Sequence, residues 1–416
     1  MRAGDVPESV VGVDVANASV RDSLVAVAWY AGYPVTDALP VVSFRFSWDS
    51  GRRVQGQASL VVADAHGDLW PRRVEDALGV AGSRLVLAYR FGATGHEVPL
   101  GVWRIRRSVP DVLWQYRRVG EQNVWLPGGG TVTLYADEEA ATLEMDVLDV
   151  GHRVTVAGTV GSEVVRLADG LPVVFHAGVD QGRPVAGGVE LPEARLAAIQ
   201  GLLDQVGAVY RMDGAGRLEV VPAAGTPVAW RVEPGEGGSL VSVSNDMSDA
   251  DLANGVTSWR ELREGQSEPV LLAGRARVVD GPLRWGGPFG RVPVFRGANL
   301  AETQAQVDAD AATTLARLVA RGDVHLGLST LLHPGLQVHD RVTLLAPRYP
   351  RARAISGRVH AVSWQGRDGV ADKHMGLTLA VPHDVLGRLA EPLAWNHDLE
   401  SLARFYRFGF KDFRMV

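Results

Sequence analysis

Val98-Pro99-Leu100-Gly101-Val102-Trp103-Arg104-Ile105 closes the run of residues that decides the fold of this 416-residue chain. Ahead of it stand Leu39-Pro40-Val41-Val42, the extended Gln57-Ala58-Ser59-Leu60-Val61-Val62-Ala63-Asp64, Leu69-Trp70-Pro71 and Arg84-Leu85-Val86-Leu87. These segments are rich in β-branched and aromatic residues, which suit a pleated, half-buried surface. Ser23–Tyr30 is a further apolar run, Val41–Trp48 alternates, and so do Leu85, Leu87 and Tyr89. Asp49-Ser50-Gly51 and Asp64–Asp68 supply turn chemistry between them. Short strands at this spacing predict an antiparallel barrel or sandwich. None of the segments offers a nucleophile, a metal cluster or a phosphate cradle.

Residues 111–135 continue as aromatic strands (Trp114, Tyr116, Trp125), with a break expected at Gly128-Gly129-Gly130. The middle of the chain reads as mixed. Ser162–Leu167 fits a short helix. A longer helix is expected to open at Leu191-Pro192-Glu193, because proline suits the first turn and an acid complements the positive helix end. Leu196, Ile199, Leu202, Leu203 and Val206 form its stripe, and Gly207 its left-handed stop. Ala208–Val221 reads as a hairpin turning at Asp213-Gly214-Ala215-Gly216.

From residue 228 the β character returns. A helix over 302–321, with Asn299 and Glu302 as its capping box, precedes three final strands at 337–345, 355–364 and 375–381. The predicted fold class is mainly β with an α+β insert: two antiparallel β-barrel or sandwich domains flanking a mixed helix–hairpin region. The expected boundaries are an N-terminal barrel-like domain at 1–130, an insert at 131–227, a second barrel-like domain with one long helix at 228–385, and a tail at 386–416. That tail places Phe405, Tyr406, Phe408, Phe410 and Phe413 among Arg404, Arg407, Lys411 and Arg414. So many aromatics at one end call for burial, each worth on the order of 1.5–3 kcal/mol. Packing on its own domain, docking on a neighbouring subunit and a basic–aromatic grip on single-stranded nucleic acid are the three ways to obtain it.

The chain is 46% hydrophobic and 22% charged, which fits an ordered globular protein. Its 48 glycines and 22 prolines imply many turns. A net charge of −6 offers no general attraction to nucleic acid or anionic lipid. With no cysteine there is no disulfide framework or thiolate chemistry. Met1–Pro7 lacks the apolar core of a signal peptide, and Leu24–Ala31 is too short to span a bilayer, so neither secretion by that route nor membrane insertion is expected. All but two of the 42 basic residues are arginine, the mark of a GC-rich coding sequence.

No hydrolase elbow, zinc-binding H-E-x-x-H, phosphate-binding or dinucleotide-binding motif occurs, and no cofactor or catalytic residue is expected. Gly286-Gly287-Pro288-Phe289-Gly290 reads as a loop. His333 and His339 are too few for a metal without Asp340, and as strand neighbours His339 and Asp340 would face opposite ways. The acidic group Asp137, Glu138, Glu139, Glu144, Asp146 and Asp149 reads first as a solvated linker. A glycosidase carboxylate pair or a Ca²⁺ site are the chemical alternatives. Asp308 and Asp310 are expected on an exposed helix face.

The order of the N-terminal segments resembles that of a minor tail protein family of actinobacterial siphophages. The 208–221 hairpin and the Leu336–Leu345 strand resemble it too, although the turn that carries Gly-Asp in that family reads His339-Asp340 here. The resemblance implies a virion protein of the tail tip, assembled in the host cytoplasm: a baseplate hub that adapts the tail tube to the tip and passes DNA without binding it specifically. It implies a self-partner, three copies in a ring, together with the distal tail ring, the tape measure protein and receptor-binding tip proteins. The subunit interface is then expected to include Phe405, Tyr406, Phe408, Phe410 and Phe413. A hexameric distal tail ring, a glycan-binding module and a cell-wall hydrolase are the alternative readings.

Overall fold

The computed structural model describes residues 22–147, 152–154, 158–185, 190–223, 225–234, 238–246, 252–262, 270–281, 283–297, 303–320, 323–345, 354–367 and 370–382. Six strands come first: β1 (Ser23–Tyr30), β2 (Val41–Asp49), β3 (Gly56–Asp64), β4 (Arg84–Arg90), β5 (Glu97–Val119) and β6 (Gln122–Glu138). The insert holds α1 (Ala140–Met145), α2 (Val160–Leu167), β7 (Val173–Phe175), α3 (Arg195–Gln205), β8 (Ala208–Met212) and β9 (Leu218–Pro222). After it come β10 (Val228–Val232), β11 (Leu240–Asp246), β12 (Gly255–Leu262), β13 (Val270–Arg277), β14 (Pro293–Gly297) and α4 (Gln304–Ala320). The last strands are β15 (Asp323–Leu331), β16 (Arg341–Leu345), β17 (Ala354–Arg367) and β18 (His374–Pro382).

The N-terminal strands pair in the order β1–β4–β5–β6–β3–β2. They close into a barrel through a strand from the far end of the chain. β2 pairs with the second half of β17, and the short Val370–Ala371 strand bridges β17 back to Ser23 of β1. The second sheet runs β10–β16–β17–β18–β15–β11. Its two ends meet where the Leu240 N–H donates to the Glu233 carbonyl at 2.9 Å. Closure hides the unpaired edges that an open sheet exposes. The chain is therefore mainly β, two barrel-like bodies with the α+β insert between them in sequence, and β17 belongs to both.

A bulge lets one strand serve two cores. Ile355, Gly357 and Val359 are buried in the first half of β17, whereas Val362, Trp364 and Gly366 are buried in the second. The alternation slips by one at His360, which the pairing with β18 skips between Val359↔Leu379 and Ala361↔Thr378. An extra residue in one strand bends it and resets which side chains point inward. Val359 thus faces the second barrel, while Trp364 lies in the first, its ring 4.8 Å from Phe46 and 5.7 Å from Phe44. One continuous apolar cluster runs through both barrels, from Leu24 to Val381.

The insert has its own core, built on Leu196, Ile199, Leu202, Leu203, Tyr210, Leu218 and Val220. Helix α2 opens with a capping box between Thr159 and Ser162. Helix α3 starts at Arg195, two residues beyond the expected opening at Leu191-Pro192-Glu193. Those residues are held extended, because Glu190–Leu191 pairs with His152–Arg153 and Ala194 bridges to Val147. The helix ends as expected at Gly207, with φ 63°. Helix α4 lies on the β12–β14 sheet through Val256, Ala311 and Leu315. Its cap is Thr303 with Gln306, each side chain reaching the other's backbone N–H; Asn299 and Glu302 lie outside the described residues.

Two other expectations change. Gly128–Gly130 does not break the strand: β6 runs through it, with Gly130 opposite Val112 and Asp64. The reason is close approach, since a Cβ on Gly130 would fall on the Asp111 carbonyl oxygen. Residues 337–340 form a turn rather than the start of β16. His339 takes φ 68°, the left-handed conformation that glycine adopts at least cost, at the position where the resembled family carries glycine.

Candidate functional site: the buried polar junction

The three parts of the chain meet at a buried polar network rather than at an open catalytic cleft. Arg211 on β8 is its centre, with only 3% of its side chain exposed. Its Nε donates to Glu219 on β9 at 2.9 Å, and its Nη1 to both Asp340 and the Val338 carbonyl at 2.8 Å. Burial disfavours the charged guanidinium, but Asp340 and Glu219 outweigh it and push its pKa up. Asp340 also accepts the Gln337 N–H at 3.0 Å, which fixes the turn before β16. A charge-assisted cluster of this kind ties the insert hairpin to the second barrel.

The first barrel joins through Gln55 and Glu138. Gln55 Nε2 donates to the Tyr210 carbonyl at 3.0 Å and lies 3.3 Å from His339 Nε2. Tyr210 returns its hydroxyl proton to the Arg53 carbonyl at 2.9 Å, and burial pushes that phenol well above its ordinary range. Glu138, at the end of β6, accepts the backbone N–H groups of Gln55, at 2.8 Å, and of Gly56. Desolvation nevertheless dominates and lifts its carboxyl to about 7.

His333 is 2% exposed and lies tilted against Trp230, ring centres 5.1 Å apart, and desolvation lowers it to about 4. His339 and Asp340 are likewise interior. Their seat is a turn clamped between two barrels. Among the described residues no three His, Asp or Glu side chains gather in a way that could hold a metal ion.

The acidic group is not a solvated linker. Glu138 is interior, Glu139 takes two bonds from Arg84 Nε, at 2.9 and 3.0 Å, and one from its Nη2 at 2.8 Å. Glu144 pairs with Arg53 at 2.9 Å and Asp146 with Arg195 at 2.8 Å. Asp137 is half-buried, and desolvation raises its carboxyl. Asp149 lies outside the described residues. Each described acid holds a structural contact. Asp308 is exposed and takes a bond from Gln304 at 2.9 Å. Asp310 instead turns inward to accept the Ser258 hydroxyl at 2.6 Å. The Gly286–Gly290 loop closes on its own backbone bonds. The tail residues Phe405, Tyr406, Phe408, Phe410 and Phe413 lie outside the described residues.

A second polar group lines an open groove of about 630 Å³ between barrel and insert. The bulge residue His360 stacks on His325 at 4.2 Å and meets Ser50 Oγ through Nδ1 at 2.9 Å. Its Nε2 lies 3.6 Å from Asp49 Oδ1, which already accepts the Gly51 N–H at 2.9 Å. Ser, His and Asp are thus close together, but 3.6 Å is too long to be the hydrogen bond that orients a catalytic imidazole. Ser50 N–H donates to the His360 carbonyl, so the group pins a turn of the first barrel onto the bulge.

Sequence reasoning missed Arg211, Glu219, Gln55 and Tyr210. The Arg211↔Glu219 pair was visible in the hairpin register around Asp213–Gly216, but its burial depends on Asp340, which is distant in sequence.

No protein-family profile and no curated protein matches the chain. The fold is similar to that of a 43 kDa tail protein of prophage MuSo2 from Shewanella oneidensis, at 12% identity and a TM-score of 0.56 over 86% of this chain and 98% of that one. It is similar also to the tail protein from Neisseria meningitidis MC58, at 13% identity and a TM-score of 0.55 over 86% of this chain and 96% of that one.

Proposed function

We propose that this chain is a structural subunit of a bacteriophage tail tip, the baseplate hub of an actinobacterial siphophage. Three copies form a ring that adapts the tail tube to the tip and lets DNA pass without binding it. The observation that carries this reading is the likeness of fold to two tail proteins over nearly their whole length. Barrels without open edges suit a ring wall, because a wall subunit must present closed faces and form large, specific interfaces. The polar junction supports a scaffold role: the Arg211–Glu219–Asp340 cluster fastens one part of the chain to another.

In this reading the aromatic tail, Phe405 to Phe413, docks on a neighbouring subunit, and the distal tail ring, tape measure protein and receptor-binding proteins are the other contacts. Native mass spectrometry of the purified chain tests the ring, with three times the 44.6 kDa chain mass expected. A six-fold mass would move the assignment to the distal tail ring, and a monomer at micromolar concentration would refute a ring altogether. Deleting Arg404–Val416 should leave a soluble fold and abolish incorporation into particles; infectious particles containing the truncated chain would refute the tail's role.

A further inference from the structure

The hairpin of β5 and β6 is longer than the barrel needs. β6 pairs with β3 only over Gly130–Asp137, and β5 pairs with β4 only over Glu97–Arg104. From Val112 to Gly129 the two strands pair only with each other among the described residues. At about 3.3 Å per residue this two-stranded ribbon reaches on the order of 25 Å from the barrel, about the radius of gyration expected for a chain of this size. A lone two-stranded ribbon is marginal in water.

The ribbon is also apolar on the outside. Register places Trp114, Tyr116 and Trp125 on one face, with Tyr116 opposite Trp125. Their exposures are 52%, 60% and 62%. Trp114 stands edge-on to Trp70 at 6.1 Å, and Tyr116 lies 5.3 Å from Trp125, so the rings form two pairs along the ribbon. Fully burying an aromatic ring covers about 150–250 Å². The three rings therefore leave about 300–400 Å² of apolar surface in water on that face, while Leu113, Val119 and Leu126 are exposed on the opposite face. That is about half of the ~800 Å² each partner contributes to a stable interface and matches the largest apolar patch of a typical monomer, which is often functional.

Charge indicates the occupant. The ribbon from Val112 to Gly129 carries Arg117 and Arg118 against Glu121, a net charge of +1, whereas the whole chain is net −6. Arg117 and Arg118 bond only to Gln115 and the Gly120 carbonyl and have no carboxylate partner among the described residues. A positive aromatic arm on an otherwise negative body is complementary to another copy of that body, and arginine with aromatic rings is the composition that interfaces favour. We propose that this ribbon is an assembly arm that lies across a second copy of the chain, aromatic face down. The inference rests on the ring reading above and supplies its contact surface. One arm given and one received per subunit is a head-to-tail interface, the kind that builds a ring when its rotation closes after a whole number of subunits.

The absence of cysteine gives a clean test. Glu121→Cys places a single thiol at the ribbon tip, to be labelled with a benzophenone maleimide on the full-length chain. Irradiation should yield cross-links between copies, mapped by mass spectrometry. Adding Trp114→Ser, Tyr116→Ser and Trp125→Ser should cut that yield at least tenfold and lower the oligomer mass, with the circular dichroism melt of the barrels retained. Should the triple change impair folding, Arg117→Glu with Arg118→Glu, on exposed side chains, should give the same loss. Cross-links confined to the same chain, for example to residues 383–416, would overturn the arm. So would an oligomer whose mass and cross-link yield ignore both sets of changes, although the ring would then stand. A chain that is monomeric throughout would instead refute the ring, and the arm with it.

Discussion

Glu138 and His333 should impose opposite pH dependences on stability, and substituting either should unmask the other. Glu138 has an ordinary carboxyl value of 4.5 and sits at about 7 in the fold. Between these limits the folded chain holds a proton that the unfolded chain has lost, so stability falls as pH rises. Each full proton is worth about 1.4 kcal/mol per pH unit, giving a loss of about 3 kcal/mol by pH 7. His333 moves from 6.5 to about 4. Between those limits the unfolded chain holds the extra proton, so stability rises with pH by about 3 kcal/mol and falls away again on acidification. From pH 4.5 to 6.5 the two contributions nearly cancel. Glu138→Gln keeps a carbonyl to accept the Gln55 and Gly56 N–H groups and removes the titration. Relative to the wild type it should gain about 3 kcal/mol as pH climbs from 4.5 to above 7. His333→Gln should gain a similar amount relative to the wild type as pH drops from 6.5 to 4. Urea denaturation at constant ionic strength from pH 4 to 8 measures both, because all other groups cancel in the differences. If the Glu138→Gln curve runs parallel to the wild type across this range, the carboxyl is not held as a buried acid and the reasoning fails.

Arg211→Met should cost about 3–5 kcal/mol, since it leaves Glu219 and Asp340 buried without their cation; a melting temperature within a degree of wild type would contradict this. Gly130→Ala should destabilise by about 1–3 kcal/mol through a forced separation of β6 from the Asp111 backbone, read as a lowered urea midpoint. Deleting His360 should prevent folding, because it turns Val362 and Trp364 away from the first barrel. His360→Ala, which keeps the extra backbone residue and loses the part-buried Ser50 bond and the His325 stack, should cost about 1 kcal/mol. Circular dichroism of the two proteins separates the outcomes, and a folded deletion variant would show that the bulge does not set the phase.

The sequence carried the β identity of most strands because alternation and turn residues are local signals. Leu85, Leu87 and Tyr89, or Leu377, Leu379 and Val381, declare a buried face whatever surrounds them. The helix stripe at Leu196–Leu203 and the Asp213–Gly216 turn were equally readable. Helix starts were less so: Pro192 and Glu193 suit a first turn, yet pairing of Glu190 with Arg153, 37 positions away, holds that stretch extended. The site was hardest to read. Nothing around Glu138 in sequence says that it is interior, because the groups that bury it and bond it come from Gln55, Gly56, Trp48 and Trp103.

By itself, then, the sequence determined which segments are strands, where the insert's helix and hairpin lie, and that no familiar reactive motif is present. These properties depend on residues a few positions apart. Only the tertiary structure decided that β17 closes one barrel and lines the other, that His360 absorbs the change of phase, and that Arg211 joins Glu219 to Asp340. Each of those is a contact between distant segments. Its free energy comes from desolvation and pairing that exist only once the segments have met, so no local pattern records it.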